Sequence, residues 1–160
     1  VAGVGRSPKG GQGAMTSTTH TRSIHIDAPV EKVFDYVKDP HNQWDAYEMT
    51  DKATIAEKEI APDAGEGSTW RWQSHVLFIP THGTMTRESY VPNERIVDHS
   101  TTGVRWTYGF EPDEAGTTLT MQVEVSSKVP FVDKIEDKIA WNGDRDLEAW
   151  LGNFKKALEA

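Results

Sequence analysis

The sequence predicts an α+β domain: a curved antiparallel sheet of about seven strands wrapped around a long C-terminal helix, with two short helices after the first strand. Three observations carry this reading. Segments of strict apolar/polar alternation fill the middle of the chain, turn-forming residues separate them at short intervals, and one long apolar stripe of helical spacing closes the sequence. At 160 residues the chain is sized for a single domain, large enough to hold a core without cross-links.

The first element is the alternating run Ser23 to Asp27, which has the period of a half-buried strand. It stops at Asp27-Ala28-Pro29, where proline suits the first position of a helix and Glu31 suits its positive end. Val30, Val33, Phe34 and Val37 then share one helical face. Asp39-Pro40 repeats the start signal, with Asp39 as cap, and opens a second short helix carrying Trp44. A strand is expected across Asp51 to Ile60. Breaks at Pro62 to Gly65, Pro80 to Gly83, Pro92 to Glu94, Thr102-Gly103 and Pro112 to Gly116 then delimit five more, within 68–78, 84–91, 95–101, 104–111 and 118–126. The last two are the clearest: Val104, Trp106, Tyr108 and Phe110 share one face, as do Leu119, Met121, Val123 and Val125. Connections this short imply an antiparallel meander. From Val129-Pro130 a stripe of Phe131, Ile135, Ile139, Leu147, Trp150 or Leu151, Phe154 and Leu158 runs to the end. A helix from Pro130 to Glu159 measures about 45 Å, enough to lie across the concave face of a twisted sheet.

Composition narrows the function. With no cysteine, disulfides, thiolate-bound metals and thiol catalysis are excluded, and a reducing cytoplasm is the expected compartment. No apolar run approaches the ~20 residues that span a bilayer, so no stable membrane insertion is expected. The net charge of -8 repels a phosphate backbone, which argues against nucleic acid as a partner. Residues 1–21, built from Gly, Ser, Thr and Ala with Arg6 and Lys9 as the only charges, are expected to be a disordered tail before a domain at 22–160. Met15 is a candidate true start, with the residues before it a vector remnant or an over-extended reading frame.

The order strand, two short helices, six-strand meander and long helix resembles the helix-grip fold. Ser23-Ile24-His25-Ile26-Asp27-Ala28-Pro29-Val30-Glu31-Lys32-Val33-Phe34 resembles the opening of the START-like, Bet v 1-like (SRPBCC) superfamily. The Asp39-Pro40 helix, Gly67 to Trp72, Pro92 to Ile96, and Trp106 to Pro112 with Gly116-Thr117 follow its course. Within it the chain is most similar to the bacterial polyketide cyclase/dehydrase and lipid-transport-like group. That resemblance implies a cavity between the sheet and the long helix, occupied by a small hydrophobic or aromatic molecule. Three activities stay open: a carrier or sensor, a cyclase or dehydratase working without metal or nucleotide cofactor, and a protein-interaction module such as a chaperone regulator or ribosome-associated factor. A monomer or homodimer fits each.

The residues supply candidates for that cavity. Trp70 and Trp72 alternate on one strand face, and Trp106 and Tyr108 on another; with Tyr90, Met121, Asn142 and Gly143 they form the expected lining. The same aromatics also serve simply as core beneath the helix. Gly143 continues the helix stripe, where glycine costs roughly 1 kcal/mol against alanine. Either it thins the helix beside a ligand, or it allows a kink or close packing against Trp106. For acid–base chemistry the candidates are Arg87 and Glu88 on one strand and Asp98 and His99 on another, of which one member of each pair faces inward. Asp98 or Glu88 beside Arg71 or Arg87 could orient a phenol or carbonyl substrate. Of His20, His25, His41, His75, His82 and His99, none stands in a close metal-ligand pattern, and no metal is expected. The glycines at 3, 5, 10, 11 and 13 follow no strand and lack the Lys-Ser/Thr ending of a phosphate loop, and no GxSxG is present. Trp141 lies off the stripe, as surface patch or cover for the short helices.

Overall fold

Strand β1, Ser17–Ile26, opens the computed structural model, which describes residues 17–47, 54–55, 64–76, 79–126 and 143–160. It is followed by α1 (Val30–Val37), α2 (Pro40–Asp45), β2 (Thr54–Ile55), β3 (Thr69–Val76), β4 (Ile79–Val91), β5 (Arg95–Ser100), β6 (Val104–Asp113), β7 (Gly116–Ser126) and α3 (Gly143–Glu159). The seven strands form one antiparallel sheet in the order β1-β7-β6-β5-β4-β3-β2, so the meander closes by laying its last strand against its first. The expected helix residues before Gly143, and Trp141 and Asn142 among them, lie outside the described residues.

The domain begins earlier than the composition suggests. Ser17 to Thr21, assigned above to the tail, pair with Ser126 to Gln122 of β7. Threonine is a good strand residue, and a waiting partner strand decides the matter. A second correction concerns the expected break at Pro80 to Gly83, through which β4 runs unbroken, with Gly83 opposite Trp72. That glycine serves packing rather than a turn. A Cβ on it would lie 3.1 Å from the Trp72 indole and 3.2 Å from the Ser100 and Thr101 hydroxyls.

The alternating strands deliver what their pattern promises. Trp106, Tyr108 and Phe110 of β6 and Leu119, Met121, Val123 and Val125 of β7 are buried on the inner face, while their neighbours are more open. Helix α1 contributes Val33, Phe34 and Val37 to the same core. Asp39 caps α2 by accepting a bond from the His41 N–H at 2.9 Å, as the Asp-Pro signal requires. On α3 both Trp150 and Leu151 are buried, along with Leu147, Phe154 and Leu158.

Helix α3 runs along β1 in the same direction, and polar contacts mark its whole length. Asp144 meets His20 at 3.1 Å and Arg22 at 2.9 Å, Glu148 meets Arg22 at 3.1 Å, and Lys155 Nζ donates to the His25 carbonyl at 2.8 Å. At the far end the Asp27 N–H donates to Glu159 at 2.7 Å. Beside it His25 stands between two carboxylates, with Nδ1 2.8 Å from Asp113 and Nε2 2.8 Å from Asp27. Only the imidazolium donates from both nitrogens. The bonds to Asp113 and Asp27 therefore raise the His25 pKa above its ordinary value, and the His25 contact lowers that of Asp113.

A group held protonated in the folded state stabilises it fully below its unfolded pKa, and that contribution is lost as pH rises through the folded value. Urea midpoints of the protein should therefore decline as pH rises above about 6.5, the ordinary histidine pKa. In His25→Gln that slope should flatten; an unchanged slope would assign it elsewhere. Gly116 joins β6 to β7 at φ 157°, where a Cβ would run into the Ile26 carbonyl oxygen. Backbone on one side cannot yield cheaply, so Gly116→Ala should cost about 2 kcal/mol or more in chemical denaturation.

Candidate functional site

Among the described residues the inner face of the sheet carries one ion pair. Arg87 and Asp98 are paired across β4 and β5, both inward, with exposures of 0% and 1%. The pairing is bidentate: Nε donates to Oδ1 at 2.8 Å and one terminal nitrogen to Oδ2 at 2.9 Å. The other terminal nitrogen donates to the carbonyls of Lys38 at 2.9 Å and Ala64 at 2.6 Å. The Trp70 ring lies against the guanidinium, its centroid 5.3 Å away. Burial pushes the Asp98 carboxyl above its usual range while Arg87 and Gln43 pull it back, and burial raises the Tyr108 phenol well above its own.

Of the four candidates for acid–base chemistry, the fold brings only these two together inside. Glu88 and His99 lie on the opposite face, 3.3 Å from each other, in a surface network in which Arg105 bridges Glu88 and Glu124. The sequence could not give this because the register shifts between Arg87 and Ser89. One extra residue at Glu88 lets Arg87 and Tyr90, three apart, both turn inward. Arg71 is exposed on β3 and takes no part in the buried pair. Nor does the buried pair offer a free base. Asp98 meets Arg87 through both oxygens, and Arg87 directs the rest of its bonds into the backbone.

The aromatic residues expected as lining lie together in the core. Trp70, Trp72, Trp106, Tyr108 and Met121 are all buried on the concave face, and Tyr90 packs against Phe34 with ring centroids 5.4 Å apart. Three aromatics absent from the expected lining complete the group. Trp44 of α2 lies 5.4 Å from Trp72, 6.4 Å from Trp106 and 6.4 Å from Trp150. Tyr47 stacks on Trp150 at 4.4 Å. The signal for these was available, since Trp44 sits on a short helix that must cover something and Trp150 on the α3 stripe. Trp150 is fixed by donating its Nε1–H to the Gln43 carbonyl at 2.9 Å. The indole N–H groups of Trp70 and Trp72 are buried and meet no acceptor among the described residues. Gly143 is the first described residue of α3, and Asn142 lies outside the described residues. Among the described residues no group of three His, Asp or Glu could hold a metal, and no helix is long and apolar enough to cross a membrane.

A one-sheet domain gripping a C-terminal helix over an aromatic interior is the helix-grip fold. The chain belongs to the family described as polyketide cyclase / dehydrase and lipid transport, whose model matches residues 17–159. No curated protein matches it by sequence. Among solved structures it is similar to the polyketide-cyclase-like protein Cgl2372 of Corynebacterium glutamicum, at 27% identity, covering 90% of this chain and 93% of that one with a TM-score of 0.58. It is also similar to the KanY protein, at 12% identity, 91% and 100% coverage and a TM-score of 0.68. The di-domain ARO/CYC BexL from the BE-7585A biosynthetic pathway matches at 20% identity over 90% of this chain and 50% of its own, with a TM-score of 0.61. The last two likenesses speak for the fold alone.

Removing one partner of a buried pair strands the other's charge. Arg87→Met should lose about 3 kcal/mol at neutral pH. It leaves Asp98 easier to protonate in the folded state, so stability should rise again as pH falls toward about 4. Urea unfolding at both pH values measures this; equal loss at both would show that Arg87 acts through its backbone bonds instead.

Proposed function

We propose that the chain binds a small hydrophobic or aromatic molecule between the concave face of the sheet and α3, with oxygenated aromatic compounds as the favoured class. The supporting observation is the aromatic group of Trp44, Tyr47, Trp72, Trp106 and Trp150, together with two buried indole N–H donors, on Trp70 and Trp72, that lack acceptors among the described residues. Flat aromatic walls suit a flat apolar ligand, and a ligand carbonyl or phenol oxygen is the chemistry that would satisfy those donors. Membership of a polyketide cyclase / dehydrase and lipid transport family agrees with a small hydrophobic ligand. Binding is favoured over acid–base turnover because the one interior carboxylate among the candidates, Asp98, is already bonded through both oxygens.

Titration with 1,8-dihydroxyanthraquinone, followed by quenching of tryptophan fluorescence, should saturate at one equivalent, and oleate should bind more weakly. Trp72→Leu should weaken the quinone about tenfold, the effect of losing one stacking wall and one donor. Absence of saturable quenching by either probe, with native mass spectrometry showing no co-purified molecule, would identify the aromatic group as core only.

A further inference from the structure

We propose a second site: a groove at the end of the sheet where α1 begins, which docks a short basic segment of a partner protein. The groove is open to solvent and has a volume of about 800 Å³. It is lined by the start of α1, the β4–β5 turn and the last part of β6, and shares none of its lining with the aromatic group beneath α3. Val30, Val91 and Phe110 supply apolar surface, and Phe110 is held from behind by the edge of the Phe34 ring at 5.0 Å. Pro92 and Pro112 flank it. Prolines offer no N–H, so recognition there falls to side chains.

Charge decides the occupant. Glu31, Glu94 and Glu111 line the groove, and none has an ion pair or a side-chain hydrogen bond among the described residues. Several other exposed carboxylates are matched, Glu88 and Glu124 by Arg105 and Asp144 and Glu148 by Arg22; Asp45, Glu66 and Glu114 are unmatched too among the described residues, but none of them lines this groove. Among the described residues the groove's only lining cation is Arg95, which donates to Ser89 Oγ at 3.4 Å and to no carboxylate. The acidic lining is also held in place. Pro92 and the left-handed Asn93, at φ 63°, make a tight turn closed by the Glu94 N–H on the Val91 carbonyl at 2.9 Å. Lysine or arginine side chains fit both features at once, their methylene stems on the apolar floor and their heads at the carboxylates. A second copy of this chain would bring the same unpaired carboxylates and be repelled, and a nucleic acid would be repelled outright.

The test uses the full chain and a fluorescein-labelled octapeptide of alternating lysine and leucine, with a glutamate–leucine octapeptide as control. Anisotropy should report saturable binding of the lysine peptide alone. Glu94→Gln combined with Glu111→Gln should weaken it roughly fivefold, the scale of two exposed ion pairs, with the circular dichroism spectrum unchanged. Backbone amide shifts should cluster at Val30, Glu31, Val91, Asn93, Glu94, Arg95, Phe110 and Glu111. Equal binding by the double variant, or shifts spread over the convex face, would reduce the effect to general attraction by an acidic protein and overturn the proposal. Tighter peptide binding after deletion of residues 1–14, which carry Arg6 and Lys9, would assign the groove to the chain's own tail. A dimer that dissolves in the double variant would assign it to self-association. Trp72→Leu should leave peptide affinity unchanged, which separates this site from the interior one.

Discussion

The Arg87 guanidinium is the point on which the arrangement of this domain turns. Carrying a charge into a fully buried position is unfavourable unless its bonds are satisfied. Here they are satisfied by four segments at once: β5 through Asp98, the corner between α1 and α2 through the Lys38 carbonyl, the approach to β3 through the Ala64 carbonyl, and β3 itself through the Trp70 ring. The backbone repeats the connection, since Gly67 donates to the Arg87 carbonyl and Arg87 to the Ser68 carbonyl, both at 2.9 Å. An apolar residue of similar volume could fill the space but could not specify which carbonyls must converge on it. The position of α2, and hence of Trp44 over Trp72 and Trp106, follows from that convergence.

The second constraint is a match of lengths. From Asp144 to Glu159 the helix advances roughly 22 Å at 1.5 Å per residue, and from His20 to Asp27 the strand advances roughly 23 Å. Contacts at both ends can therefore be made together, and α3 stays against β1 from Asp144 to Glu159. Exposed ion pairs of this kind add little stability each. Their effect is on registry: they select the sliding position that puts Trp150 under the Gln43 carbonyl and Asn153 under that of Ala46, at 2.9 and 2.8 Å. Sheet, short helices and long helix thus enclose one aromatic interior.

Much of this was legible in the sequence because it rests on periodicity. The faces of β6 and β7, the stripe on α3 and the Asp39 cap each depend on spacing within one segment. What could not be read depends on relations between segments. The bulge at Glu88 changes which of Arg87, Glu88 and Tyr90 face inward, and no local pattern announces it. Gly83 imitates a turn residue because the reason for its size, the Trp72 indole, belongs to another strand. Thr18, Thr19 and Thr21 imitate a tail because β7, nearly a hundred residues on, supplies their pairing. Local reading named the strand members of the aromatic group but not Trp44 and Tyr47, which reach it only through the fold of the α2 corner.

The polarity of the interior bears on what it is suited to hold. Its walls are mostly apolar, broken by the Arg87–Asp98 pair, the Tyr108 hydroxyl and two indole N–H groups that meet no acceptor among the described residues, and a buried donor left without a partner costs about 1–3 kcal/mol. A hydrocarbon chain placed against those walls would gain from burial yet leave that cost standing. An aromatic ligand bearing carbonyl or phenol oxygens would gain the same burial and remove it, provided its oxygens reach the indole edges. The difference is large enough to separate two ligand classes that area alone would treat alike. On the proposed reading, the chain's own chemistry is then shape and hydrogen bonding, with the charged pair at Arg87 and Asp98 keeping the walls in register.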